Sequence, residues 1–165
     1  MGNVYVRVDD RLIHGQIVTA WAVTLAIKEI IAIDDGLAAN KMMQSIMTMG
    51  VPAAYHPQIV SVQEAKALLS QPAAGNRLVI TRFCRNLASV REEIKGCVHL
   101  NIGNCAKQAD AKYTTKGIGV GQILSFTQED FDTIEALESD GIEVMCQPLP
   151  TEKKRTWSDL KSSFH

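Results

Sequence analysis

Val4-Tyr5-Val6-Arg7-Val8, then Asp9-Asp10-Arg11-Leu12-Ile13-His14-Gly15-Gln16, then Ile17-Val18 with Trp21 and Ala22 beyond, is the stretch from which the fold is read. Val4 to Val8 is β-branched and aromatic, the composition of a buried strand. Ile17, Val18, Trp21 and Ala22 recur on one face of a helix. Strand, polar turn and helix in that order form the first half of a βαβ unit, and the pattern recurs along the chain. Strand-like runs follow at Ile30 to Ile33, weakly at Ala53 to His56, and at Leu78 to Thr81, Val98 to Ile102, Ile118 to Ile123 and Glu143 to Gln147. Between them, helices are predicted over residues 15–26, 37–49, 62–70, 86–95 and 128–140. Ser61 with Glu64 has capping-box spacing and Thr127 with Asp130 repeats it more weakly, while Gly141 can adopt a left-handed helix end. The expectation is one α/β domain over residues 1–165, an open, doubly wound, mostly parallel sheet of about seven strands with helices on both faces. The segment after Pro150 leads into a polar tail, helical or frayed.

The bulk properties exclude several classes. The 165 residues carry a net charge of −1 with no basic cluster, which speaks against a nucleic-acid partner. No apolar run approaches the roughly 20 residues needed to span a bilayer, and the first residues lack the order of a signal peptide, so a cytoplasmic location is expected. Met1-Gly2 is not read as a myristoylation signal, because Val6 stands where Ser or Thr is required. Cys84, Cys97, Cys105 and Cys146 are spaced too widely for a zinc knuckle or a redox pair, and no metal or other cofactor is expected. Cys84, between Arg82 and Arg85, is the one thiol whose neighbours could lower its pKa, although a buried structural thiol is the simpler reading.

The turn after the first strand carries the chemistry. In an open α/β sheet the carboxyl end of an early strand faces the ligand crevice, which places His14 there. The helix starting near Gly15 offers free backbone N–H groups at Gly15 and Gln16, and Gly15 permits close approach of an anion. Arg11 adds a guanidinium fork for phosphoryl oxygens, and Arg7, on an otherwise apolar strand, is too polar to be core filling. Asp9 and Asp10 can fix the imidazole tautomer, orient the arginines or cap the turn. A neutral imidazole attacks phosphorus well and leaves readily from the phosphorylated ring, which suits a relay. Two readings remain open on local chemistry: a reactive histidine, or a turn histidine with structural hydrogen bonds.

Other features are weaker. Gly117-Ile-Gly-Val-Gly121 lacks the spacing of a dinucleotide fingerprint and the ending of a P-loop. Asp34 and Asp35 close the second strand, expected beside the first, and serve as turn residues or as an electrostatic brake on a bound phosphate. Arg82 ends the fourth strand, expected across the crevice from His14 and within reach of a phosphoryl group. His56, His99 and His165 read as strand, core and tail residues.

Arg7-x-Asp-Asp-Arg-Leu-Ile-His14-Gly-Gln with Trp21 resembles the IIB subunits of the bacterial phosphoenolpyruvate-dependent sugar phosphotransferase system, mannose/fructose/sorbose family. The resemblance continues through Ile33-Asp-Asp35, Leu100-Asn-Ile-Gly103, Phe126-Thr-Gln-Glu-Asp130, Gly141-Ile-Glu-Val144 and Gln147-Pro-Leu-Pro150. It implies a phosphoryl-transfer subunit that takes the phosphoryl group from the phosphohistidine of a IIA partner onto His14, at Nδ1. The group then passes to sugar presented by membrane IIC and IID subunits, to which the chain is peripheral. A separate IIA polypeptide is expected, and a homodimer is compatible with the sequence although no motif specifies one. Asn104 stands where the family commonly has a second glycine, Thr81 to Arg85 lacks the usual proline, and Ala106 to Lys116 matches poorly; these departures bear on partner contacts and sugar subtype. The alternative is a sensor domain that binds a phosphorylated metabolite in the same crevice without covalent chemistry.

Overall fold

Consecutive residues of a strand face opposite ways, and the central strands here are apolar on both sides. In β2 (Ile27–Ile33), Ile31 and Ile33 join one core layer while Ile30 and Ala32 join another. In β4 (Asn76–Thr81), Val79 belongs to the first layer and Leu78 and Ile80 to the second. Such strands are stable only when both faces are covered. The computed structural model, which describes residues 2–105 and 108–165, shows that arrangement.

Seven strands form the main sheet in the order β3-β2-β4-β1-β5-β8-β9, parallel except for β9 at one edge. Here β1 is Val4–Asp9, β3 Gln58–Val60, β5 His99–Asn104, β8 Glu143–Cys146 and β9 Arg155–Thr156. The remaining strands, β6 (Tyr113–Lys116) and β7 (Ile123–Phe126), make a separate antiparallel hairpin. The sheet thus matches the expected doubly wound class. β1 is central, flanked by β4 and β5. The chain leaves β1 to build one half of the sheet, returns in β4, and crosses to β5 on the other side. The carboxyl end of β1 is therefore the switch point, where the connections part and leave a crevice.

Helices cover the two faces unequally. Residues 15–24 are helical, with a π turn over Ile17–Trp21 followed by α1 (Ala22–Thr24); Ile17, Trp21 and Ala22 pack on the β2/β4 layer. α4 (Val62–Leu69) and α5 (Gln128–Ser139) cover the opposite face, and both begin with complete capping boxes, at Ser61/Glu64 and Thr127/Asp130. Gly141 closes the run after α5 with φ 91°, in the left-handed region expected of it. α6 (Trp157–Ser162) shows that the tail is packed: Trp157 and Leu160 are fully buried, and Trp157 meets Phe126, Phe131 and Phe164 at centroid distances of 5.5, 5.6 and 5.6 Å.

Four expected boundaries move, each for a local reason. Ala53–Tyr55 is a 3-10 turn, not a strand; it ends at His56 in the left-handed region (φ 47°), and β3 begins only after Pro57. Of the expected strand at Ile118 to Ile123 only Ile123 is in a strand, as the first residue of β7; the rest is a turn between β6 and β7, with Gly121 at φ 71°. The helix expected over 37–49 breaks into α2 (Asp35–Ala38) and α3 (Lys41–Thr48), because the Asn40 side chain accepts from Met43 N and starts a new helix. Cys84–Val90 winds as a 3-10 helix instead of an α-helix; Cys84, Leu87 and Val90, all buried, repeat every three residues, the period at which 3-10 side chains eclipse. The expected poor match over Ala106 to Lys116 includes Ala106 and Lys107, which lie outside the described residues.

Candidate functional site

β1 ends in a turn that the sequence closes tightly. Leu12 N donates to Asp9 O at 3.0 Å, and Leu12 takes a left-handed conformation (φ 55°) that lets its side chain bury completely. That left-handed backbone costs an L-residue roughly 1 kcal/mol, offset by the roughly 1.5–3 kcal/mol of burying a leucine. The turn brings His14 back over the end of its own strand. His14 O then accepts from Ile17 N at 3.0 Å and Val18 N at 3.3 Å, so the helix starts at the histidine itself.

Asp9 is the hub. Its side chain is fully buried, and Oδ2 accepts from His14 Nε2 at 3.0 Å, Arg11 Nη2 at 3.0 Å and Arg7 Nη2 at 3.2 Å. Oδ1 accepts from Arg11 Nε at 3.0 Å and Arg11 N at 3.1 Å. Burial alone would raise the Asp9 pKa, but hydrogen bonds from His14 and Arg11 and the Arg7 charge outweigh it and hold the carboxyl below the usual range. An ionised carboxylate only accepts, so Nε2 carries a ring hydrogen, and the lone pair of a neutral ring is then the one on Nδ1. Among the described residues nothing hydrogen-bonds Nδ1. Of the three roles the sequence left open for Asp9, the geometry combines all: it meets the imidazole, holds both arginines and, through Arg11 N, caps the turn.

The two arginines differ. Arg11 is 45% exposed, also donates from Nη2 to Gln16 Oε1 at 3.3 Å, and has no partner for Nη1 among the described residues. Arg7 is 2% exposed and turned inward: Nη1 and Nη2 reach the carbonyls of Gln147 and Pro148 at 3.4 and 3.3 Å, and its guanidinium lies 5.7 Å from the centre of the Trp21 ring. It rests in a hollow that exists because residue 103 is glycine; a Cβ there would fall 2.2 Å from Nη2. The β1–β5 register slips at this point, Val8 facing Ile102 and Asp9 facing Asn104. Trp21 Nε1 donates to the same Pro148 carbonyl at 2.7 Å, and Asn101 pairs with the Gln147 backbone in both directions at 2.9 Å. Asn101, Gly103, Gln147 and Pro148 entered the sequence reading only as parts of the family resemblance; their common task, seating Arg7, needed the fold.

The geometry bears on three other expectations, and for Asp34 and Asp35 it supports the turn role. The Asp10 carboxylate accepts from Asn104 Nδ2 at 2.6 Å, and His14 Nε2 is held by Asp9 instead, so Asp10 shapes the loop. Arg82 Nε bonds Asp34 Oδ2 at 2.8 Å and Nη1 bonds Asp10 O at 3.1 Å, so it braces the loop through its backbone and is held by Asp34. β4, not β2, is the neighbour of β1, so Asp34 and Asp35 stand one strand further off; they cap α2 and bond Val62 N at 2.9 Å, the turn role. Cys84 is completely buried, which leaves a substrate no route to it. His56 Nδ1 lies against Lys28 O, His99 tilts on Tyr5 at 5.2 Å, and His165 N donates to Thr114 O, none of them at the crevice.

A cavity of about 250 Å³ opens beside His14, walled by Ile13, Val18, Met47 and Val51 among others, with no charged side chain. The cationic side of the imidazole is the Arg11 side. Among the described residues no helix is long and apolar enough to cross a membrane.

Fold and site together define a doubly wound α/β domain that presents one histidine, pinned through Nε2, at its switch point. The chain belongs to the sorbose-subfamily IIB components of the sugar phosphotransferase system, a family of phosphoryl-transfer components in sugar uptake, whose model matches residues 3–164. It is 27% identical over 158 residues to the mannose-specific EIIAB component of Escherichia coli K12, covering 96% of this chain and 48% of that one. The chain thus spans about half the length of that relative. The fructose-specific EIIB component of Bacillus subtilis is 27% identical, with 92% of this chain and 91% of that protein covered. The crystal structure of manxB from Thermoanaerobacter tengcongensis superposes with a TM-score of 0.81 at 27% identity, over 98% of this chain and 96% of that one.

Proposed function

We propose that His14 is the phosphoryl acceptor and donor of this IIB chain, working through Nδ1. The single observation that carries the reading is the 3.0 Å bond between His14 Nε2 and a buried, ionised Asp9 carboxylate, which leaves Nδ1 as the nucleophile. In the step toward His14, the N–P bond of a donor phosphohistidine breaks as Nδ1–P forms, and the Nε2 hydrogen stays on the ring against Asp9. Charge on the transferring group is met by Arg11, whose Nη1 is uncommitted among the described residues, and by the backbone N–H groups of Gly15 and Gln16 near the start of the helix. In the step away, P–Nδ1 breaks as a sugar hydroxyl oxygen takes the phosphorus and gives up its proton to solvent. Nothing in either step calls for a cofactor.

The donor is a IIA phosphocarrier, and the acceptor is sugar held by membrane IIC and IID subunits, with this chain in the cytoplasm against them. Support comes from the family and from the printed name of the Escherichia coli relative, which couples A and B components. The test is incubation with the upstream phosphorelay proteins, IIA and phosphoenolpyruvate. An acid-labile, base-stable phosphate should appear on the chain and be absent from His14→Ala; label retained by that variant overturns the assignment, as does saturable ligand binding with no label.

A further inference from the structure

A histidine that faces a lone buried carboxylate is drawn toward the imidazolium, since an opposite charge within 4 Å favours the charged form. An imidazolium has no lone pair for phosphorus. The His14–Asp9 pair, at 3.0 Å, would meet that difficulty if nothing else held the carboxylate. Two guanidiniums do hold it. Arg11 is exposed and close to any incoming phosphoryl group, so its grip changes during the reaction; Arg7 is 2% exposed and permanent.

Resting on the reading of His14 as the phosphoryl acceptor, we propose that Arg7 is a positioning residue: by sharing the Asp9 carboxylate it keeps that carboxylate from drawing a second proton onto the His14 ring, and so leaves Nδ1 free for phosphorus. Arg7 cannot be a phosphoryl ligand. Two of its nitrogens face Asp9 Oδ2, at 3.2 and 3.4 Å, and Nη1 and Nη2 also donate to the Gln147 and Pro148 carbonyls, so four of its five N–H groups are turned inward. Gly103 lies against its guanidinium where any Cβ would collide, and Trp21 covers its side. The seat thus fixes the cation relative to Oδ2, the atom that His14 also uses. Burial disfavours the Arg7 charge and Asp9 sustains it, so each charge depends on the other.

The remaining charged and titratable neighbours do not substitute for it. On the loop, Asp10 lies near Arg11 but is bonded to Asn104. From β4, Arg82 touches only the Asp10 carbonyl at this loop. From β5, His99 sits within the field of Arg7 but its own surroundings are Glu143 and Lys154. From β8, the Cys146 thiol beneath Arg7 is pushed up to about 12 by burial and stays neutral. Among the described residues, Arg7 is the one fully buried cation on Asp9.

The experiment follows the imidazole ¹⁵N shifts of His14 against pH in the full chain, alongside the rate of His14 phosphorylation by phosphoramidate, a small donor that needs no docking partner. Arg7→Met should move both the His14 titration and the acid limb of the rate profile upward by about one pH unit, so that the loss of rate, close to tenfold, is concentrated below the limb. Arg7→Lys should recover at least half of that shift. Gly103→Ala, which keeps the guanidinium but crowds its seat, should shift both in the same direction by less. If titration and limb stay in place while the rate falls by one factor at every pH, Arg7 is merely structural and the proposal fails. Should Arg7→Met not fold, an unmoved titration in Gly103→Ala overturns it equally. Absence of label on His14 in the unaltered chain defeats the acceptor reading instead, and the ¹⁵N titration still decides the role of Arg7.

Discussion

Replacing Asp9 by Asn removes one negative charge from a fully buried position and changes the shape of the side chain very little. What is left is Arg7, also buried, beside Arg11 and His14 and without the carboxylate it paired with. Breaking a buried ion pair from one side costs about 3–5 kcal/mol, because the surviving charge has lost its solvation and its partner. For a chain of this length, each kcal/mol lowers the melting temperature by about 2–4 °C, so a fall of about 6 °C or more is expected in Asp9→Asn. The penalty should depend on pH with a definite sign. The Asp9 carboxyl of the folded protein titrates below its unfolded value of about 3.9, so its stabilisation is complete above pH 4 and is lost as pH falls further toward the folded value. The gap between the two proteins should therefore be wide at pH 7 and narrow below pH 4. Phosphoryl transfer should also slow, by about 10–100-fold, as the amide holds Nε2 less firmly than a hydrogen bond to a charged group, worth about 1.5–3 kcal/mol, does. Calorimetric melting of both proteins from pH 3 to pH 8, with transfer assays at pH 7, reads all three effects. Equal melting temperatures at pH 7, or two curves that run parallel through the acid range, would refute the account of Asp9 as an ionised hub.

Arg11→Ala should slow phosphoryl transfer by about 10–100-fold while shifting unfolding by about 1 kcal/mol or less, since its side chain is nearly half exposed; comparable losses of fold and transfer would make it structural. Arg82→Gln should slow transfer much less than Arg11→Ala, because Arg82 is bonded to Asp34, and a transfer assay that ranks the two the other way round would restore it to the phosphoryl site. Trp157→Ala should cost about 3–5 kcal/mol in denaturant unfolding by emptying the aromatic cluster under α6, whereas a loss below 1 kcal/mol would mean the tail is not part of the cooperative core.

The sequence by itself determined the alternation of strands and helices, and with it the doubly wound class, because periodicity and caps are local. Val4 to Val8, the capping boxes at Ser61 and Thr127, and Gly141 are legible from neighbours a few residues away. It also singled out His14, Arg11 and the start of the following helix, which lie within one turn of chain. Where local signals compete, only the three-dimensional packing chose: Asn40 splits a helix, and the glycines from 117 to 121 turn a supposed strand into the link of a hairpin. The order of strands is decided by tertiary structure too: placing β4 beside β1 sets Asp34 one strand further off and brings Arg82 against the Asp10 carbonyl. The division of labour between the arginines was equally hidden. Arg7 and Arg11 are alike in sequence, and what separates them is burial, set by Gly103, Trp21 and the Gln147 and Pro148 carbonyls from up to 141 residues away. The energy of a charge depends on the medium around it, and no stretch of sequence carries its own dielectric.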